Sequence, residues 1–251
     1  MPPANRTTAP TSPSTVGASR WSEASAVAFA VGAYGLSYGV LATAAGLSPL
    51  VATLSSLLVL AGGSQFAFVA VLAAGGAPLT GAVGGLLLNV RYAAFGLAIA
   101  QVLPRAPLPR RLVDGYIVVD ESVALALGAA GRGEPPEAVT ARFRLVGYAV
   151  AASWIGMTAL GAYGGRLIGD PEVYGLDAAF PAGFLALLAP WLRTPAGRRA
   201  AAAGALLAVV LTPIAPPGVP LLAAAFGALA SYGAPPPRSP TPRSPDVPEL
   251  P

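Results

Sequence analysis

The stretch Leu112–Gly131, LVDGYIVVDESVALALGAAG, is apolar enough to cross a bilayer yet carries two adjacent acids, Asp120 and Glu121, near its centre, with Arg111 and Arg132 at its ends. At a helical rise, a run of this length covers roughly 30 Å, the hydrocarbon thickness of a membrane, so the pattern predicts a spanning helix with both carboxylates near the midplane. An ionised acid at that depth costs about 2.5–3.5 kcal/mol on insertion scales. Such residues face a bundle interior or a wet cavity and mark a pathway or a site.

Composition places the rest of the chain in the same solvent. Of 251 residues, 55% are hydrophobic and 10% charged, and mean hydropathy is +0.65. A soluble domain carries about a quarter charged residues, so this is an all-α, polytopic membrane protein. Every basic residue is arginine, and most lie between apolar runs rather than in one patch, which argues against nucleic-acid binding. The absence of cysteine and histidine removes disulfides, thiol and imidazole nucleophiles, and the usual zinc, haem and iron–sulfur ligand sets. No metal or other cofactor is expected, and carboxylates remain as the proton carriers near neutral pH.

Residues 1–22 are rich in Pro, Ser and Thr and are expected to be a disordered tail; residues 233–251 are a second, proline-rich tail. Between them, residues 23–232 form one transmembrane domain of about seven helices. The first run, Ala24 to Ala45, places Gly32, Gly35 and Gly39 on one face, a small-residue stripe for helix packing or for lining a substrate path. Ser48 and Pro49 then open the second run as N-cap and first helical residue. That run extends from Leu50 to about Ala74 and holds Gly62, Gly63, Ser64, Gln65 and Phe66 near its middle. Two glycines beside two polar side chains predict a break in the helix there, and an unwound turn at membrane depth is tolerated where it lines a cavity or is covered by protein. A glycine-mediated crossing, with Ser64 and Gln65 bonded to a neighbouring helix, fits the same residues.

The third run, Leu79 to Leu103, has Asn89, Val90, Arg91 and Tyr92 at its centre. Asn89, Tyr92 and Gly96 share a helical face, while Arg91 and Phe95 fall on another. An arginine at this depth needs a counterion, and Asp120 or Glu121 lies at comparable depth. Two acids against one arginine leave a surplus carboxylate available for proton coupling or for a substrate ammonium.

Further along, apolar runs extend from Leu145 to Gly165 and from about Val173 to Leu192, with Asp177 near the start of the latter. The pieces Ala200 to Thr212 and Val219 to Tyr232 are too short to span untilted, and are expected to form short helices or a hairpin. A shift of 118 residues pairs Phe66 with Phe184 and Leu72 with Pro190. A repeat on that register would divide the chain into two inverted halves with broken or re-entrant helices, a plan common among transporters.

GLSP at Gly46, GSQF at Gly63, NVRY at Asn89 and DES at Asp120, in that order, resemble the AzlC family of branched-chain amino acid permeases, the large subunits of two-component exporters. The resemblance implies a multi-pass protein of the bacterial inner membrane that exports valine, leucine or isoleucine using the proton motive force. It also implies a small membrane partner of the AzlD family. On this reading the turn Gly62–Gln65 binds the substrate carboxylate, Asn89 and one acid hold the ammonium, Phe66 and its neighbours receive the branched side chain, and Tyr92 completes the pocket. Arg91, Asp120 and Glu121 form the ion-pair or proton-coupling group. Two other classes compete: a non-transporting scaffold built from the same glycine-rich helices, and an intramembrane hydrolase. The hydrolase needs acids on facing helices, whereas Asp120 and Glu121 point about 100° apart on one helix, and no GxGD, HExxH or GxSxG occurs. The chain is therefore expected not to be an enzyme.

Overall fold

A computed structural model describes residues 13–168 and 191–232, together with Leu185, Leu188 and Ala189. The described residues are helical throughout, without a strand, and fall into two units that divide at residues 182 and 183.

In the first unit α1 (Pro13–Ala44) and α8 (Pro136–Ile168) make the most extensive helix pair among the described residues. Ser153 Oγ donates to Ala28 O at 2.6 Å, Gly39 opposes Thr158, and Gly165 opposes Val40, so the numbers rise together and the helices run parallel. Their closeness depends on the expected glycine stripe. A Cβ at Gly39 would lie 2.2 Å from Thr158 O, and one at Gly161 would lie 2.2 Å from Leu36 O. Small residues let backbones approach where water supplies no driving force between helices.

The parallel pairing also bears on the expected repeat. The 118-residue shift places α8 on α1, and an inverted repeat would set those two helices antiparallel. The inverted plan is therefore not followed by this pair, and Phe184 and Pro190 lie outside the described residues.

The second apolar run folds as α2 (Pro49–Leu58) and α3 (Gly62–Ala73). Gly46 adopts φ +94°, a conformation costly for a side chain with a Cβ, and closes α1 before Ser48 Oγ caps α2 by accepting from Val51 N at 3.2 Å. The third run folds as α4 (Pro78–Asn89) and α5 (Arg91–Ala100), meeting at Val90. α3 and α4 form a close hairpin, since a Cβ at Gly85 would lie 3.3 Å from Ser64 Cβ.

The stretch expected to be one spanning helix with central acids is instead broken. α6 (Leu108–Tyr116) ends before Ile117, α7 (Asp120–Gly131) begins after Val119, and the acids sit in the first turn of α7. The cause is local hydrogen bonding. Buried Ser122 Oγ accepts from Val119 N at 3.1 Å and donates to Ile117 O at 2.7 Å, holding an extended link that a continuous helix would not permit. An acid at a helix N-terminus also meets the positive end of the macrodipole, so this placement costs less than the centre of a helix. Gly147 on α8 accommodates the link, because a Cβ there would lie 2.8 Å from Ile117 Cβ.

Among the described residues three helices are long and apolar enough to cross a membrane, Arg20–Ala44, Pro78–Ala100 and Pro136–Gly165, against the expectation of about seven spans for the whole chain, and Pro49–Leu58, Gly62–Ala73 and Val219–Ser231 are shorter apolar helices. Helix α1 begins at Pro13, inside the segment expected to be a tail. In the second unit α9 (Pro195–Leu211) is capped by Thr194 and folds back on α10 (Val219–Ala224) and the 3-10 segment Ala225–Ser231. A Cβ at Gly227 would lie 2.4 Å from Gly204 N, so the two short apolar pieces form the hairpin that was one of the expectations. Most of the run from Val173 to Leu192, with Asp177, and the proline-rich tail lie outside the described residues.

Candidate functional site

Residues of the α2–α3 link, of the helix formed by α4 and α5, and of the end of α6 line one cavity of about 330 Å³. Leu58, Val59, Leu60 and Ala61 line it from the α2–α3 link, Asn89, Tyr92 and Gly96 from the α4–α5 junction, and Gly115, Tyr116 and Val118 from the end of α6. Non-helical backbone in a membrane protein has to be covered by protein or face a cavity, and the α2–α3 and α6–α7 links border this shared one. Tyr116 OH donates to Leu57 O at 2.6 Å, which satisfies a carbonyl at the end of α2 and ties α6 to it. The opening of the second run falls at Val59–Ala61, just ahead of the expected Gly62–Gln65, and Gly62 starts α3. Gly62 is glycine for a packing reason, since a Cβ would sit 2.8 Å from the Trp154 ring.

The side chains expected at this site divide into two groups. Asn89 and Tyr92 line the cavity, as their shared helical face required. Asn89 Oδ1 is buried and has no hydrogen-bond partner among the described residues, an acceptor whose desolvation they leave without offset. Beside it Arg91 Nη2 pairs with Asp120 Oδ2 at 2.9 Å, and Tyr92 OH lies 3.4 Å from the same carboxylate oxygen. The ion pair expected between the third and fourth runs is therefore formed through Asp120. Glu121, half-buried on the next position, makes no ion pair among the described residues.

Ser64, Gln65 and Phe66 are turned elsewhere. Ser64 Oγ donates to Ala61 O at 2.9 Å. Gln65 accepts from Trp154 Nε1 at 2.9 Å and donates to Ser56 Oγ at 3.0 Å, and Ser56 in turn donates to Thr158 Oγ1 at 3.1 Å. Phe66 is buried edge-on to both Tyr38 and Trp154. These residues join α1, α2, α3 and α8, and the cavity's apolar wall is built instead by Leu58, Val59, Leu60 and Val118.

Two charged groups escaped the sequence reading. Buried Asp114 accepts from Arg144 Nε at 2.8 Å and from Nη2 at 2.7 Å, a bidentate pair that fastens α6 to α8. Arg142 pairs with Glu23 and, at 3.4 Å, with Glu134, which also meets Arg132 at 2.9 Å and Arg20 at 3.6 Å. The signal was present in Arg142 and Arg144 within an otherwise apolar helix, each of which needs a counterion.

Apolar helices long enough to cross a bilayer, beside shorter broken ones that enclose a cavity with a few polar groups, define a helical membrane protein. The profile of the AzlC protein family matches residues 26–168, and the chain belongs to that family. It is 33% identical over 171 residues to an uncharacterized membrane protein of Archaeoglobus fulgidus, covering 67% of this chain and 73% of that one. It is 30% identical over 157 residues to the inner membrane protein YgaZ of Escherichia coli strain K12, covering 60% of this chain and 63% of that protein. No solved structure matches the chain.

Proposed function

We propose that this protein exports branched-chain amino acids across a bacterial inner membrane, driven by the proton motive force and assisted by a small AzlD-like membrane subunit. One observation carries the reading: the links between α2 and α3 and between α6 and α7 border a cavity lined by the polar residues Asn89 and Tyr92 and by an apolar wall of Leu58, Val59, Leu60 and Val118. Asn89 accepts from the substrate ammonium. The carboxylate faces the start of α3, where Ala61 reaches the cavity and the first N–H groups have no side-chain cap. The branched side chain lies against the apolar wall. A cavity of about 330 Å³ is at the lower end of the ~300–1,000 Å³ usual for small-molecule sites, which suits a small solute.

Arg91 pairs with Asp120, whereas Glu121 makes no ion pair among the described residues, so Glu121 is assigned as the carboxylate that takes up and releases the coupled proton. Its charge state biases the arrangement of α5 and α7, whose contact runs through Arg91, Tyr92 and Asp120.

The test is efflux of labelled valine, leucine and isoleucine from proteoliposomes holding the chain alone or with the small subunit, under an imposed pH gradient. Gradient-dependent efflux of all three, lost on Asn89→Leu, is expected. Equal efflux from protein-free vesicles in every condition overturns the proposal.

A further inference from the structure

A second cavity of about 460 Å³ lies between α5 and α6 and shares Gly96, Gly115 and Val118 with the first. The two follow one face of each helix. On the α4–α5 side the lining positions are Asn89, Tyr92, Gly96, Ile99 and Leu103, spaced by three and four, the repeat of a single helical face. At 1.5 Å per residue that face extends about 21 Å, some two thirds of a ~30 Å hydrocarbon core. On the facing side Arg111, Asp114 and Gly115 lie one turn apart on a face of α6 and Val118 follows from the link after it, and α5 and α6 scarcely touch each other.

The neck between the cavities is lined by Gly96, Gly115 and Val118, two of them without side chains. A Cβ built at Gly96 or at Gly115 meets nothing within 4 Å. Most glycines on α1 and α8 that face a neighbour are filled by backbone or side chain at that distance, so these two border open space rather than a helix contact. The outer end is lined by Arg105 and Arg111, both exposed, while Asp114 is neutralised by its bidentate bond to Arg144. Among the described residues no acid pairs with Arg105 or Arg111, so the mouth carries positive charge.

We infer that this second cavity is the vestibule through which a carboxylate-bearing solute passes to and from the cavity at the helix interruptions, with Arg105 and Arg111 attracting the carboxylate and Gly96 and Gly115 forming the neck. The inference rests on the transport reading for its purpose, but its geometry can be tested without any substrate. The chain contains no cysteine, so single-cysteine variants report their own positions.

In membrane vesicles of either orientation, Gly96→Cys and Gly115→Cys are exposed to a membrane-impermeant anionic methanethiosulfonate, with Leu103→Cys near the mouth and Ala100→Cys one turn closer to the neck as further reporters. Leu97→Cys, 71% exposed on the outer face of α5, is the lipid-side control. Labelling from one membrane face only, at rates at least about tenfold above Leu97→Cys, is expected. The anionic reagent should also outpace its cationic counterpart by about tenfold or more, an advantage lost in Arg105→Gln/Arg111→Gln, because a focused charge raises encounter rates by 10–10³. Labelling of Gly115→Cys and Ala100→Cys no faster than Leu97→Cys overturns the vestibule. Equal rates for the two reagents overturn the carboxylate preference. Fast one-sided labelling that valine does not slow keeps the vestibule and removes the branched-chain assignment.

Discussion

Trp154 Nε1 donates a 2.9 Å hydrogen bond to Gln65 Oε1 across 89 positions of sequence, and both residues are buried. Through Ser56 and Thr158 the same amide reaches α2 and α8, so Gln65 is the joint where the break before α3 is held against the α1–α8 pair.

Replacing Gln65 by Leu strands the indole N–H and removes an amide donor from Ser56. An unsatisfied buried donor costs about 1–3 kcal/mol, so Gln65→Leu should lower the melting temperature in detergent markedly. Trp154→Phe removes the opposite partner. Because each single change breaks the same bond, the double variant should be less destabilised than the sum, by about 0.5 kcal/mol or more. Strict additivity in thermal or denaturant melts would show that the bond contributes nothing.

The contrast between Gln65 and Arg91 explains what could be read in advance. An arginine inside an apolar run demands an acid at its own depth, and Asp120 was there to be found. A glutamine makes no such demand, and its partner on α8 has no mark in the local pattern, so Ser64 and Gln65 read as site residues ahead of the packing role that their hydrogen bonds show. The helix starts at Ser48 and Pro49 and the stripe of Gly32, Gly35 and Gly39 were legible because caps and small-residue spacing are local rules. The break at Ile117–Val119 was not, since three apolar β-branched residues continue the hydrophobic run and only the back-bonding of Ser122 opens it.

Gly39 has room for nothing larger. An alanine methyl would lie 2.2 Å from Thr158 O, a backbone atom held in α8, so the helices must part. Overpacking of this kind costs about 1–3 kcal/mol, and Gly39→Ala should reduce both melting temperature and yield of folded protein. Gly156, on the same helix as Thr158, has open space around a built Cβ, and Gly156→Ala should leave the melt unchanged or raise it slightly. Equal melts for the two variants would contradict the close parallel contact.

At the loop between α7 and α8 the Arg132 hydrogen bond, aided by the charges of Arg142 and Arg20, holds the Glu134 carboxyl below the usual carboxylate range. A group whose pKa is lower folded than unfolded contributes its full stability above the unfolded value, about 4.3 for glutamate, and loses it as pH falls through the folded value. Melting temperatures from pH 7 to pH 3 should therefore decline on the acid side, and Glu134→Gln should flatten that decline while changing the neutral-pH value by a constant offset. An acid limb identical in the two proteins would assign the pH dependence to other carboxylates.

Arg91 and Asp120 retain 30% and 26% side-chain exposure, so their bond sits between the surface and the fully buried case. Arg91→Gln leaves Asp120 without its cation, and Asp120→Asn leaves Arg91 without its anion; each should cost about 1–3 kcal/mol, less than a fully buried pair. Arg91→Gln/Asp120→Asn should recover much of that loss, since no charge is then stranded. Glu121→Gln behaves differently because no ion pair is broken: the melt should move by less than about 0.5 kcal/mol. Its effect should fall on transport, with valine efflux losing its response to an imposed pH gradient while exchange of labelled for unlabelled valine persists. The comparison separates the two neighbouring acids, Asp120 as the fixed anion of Arg91 and Glu121 as the proton carrier. PH-driven efflux at the parent rate in Glu121→Gln would remove Glu121 from that role.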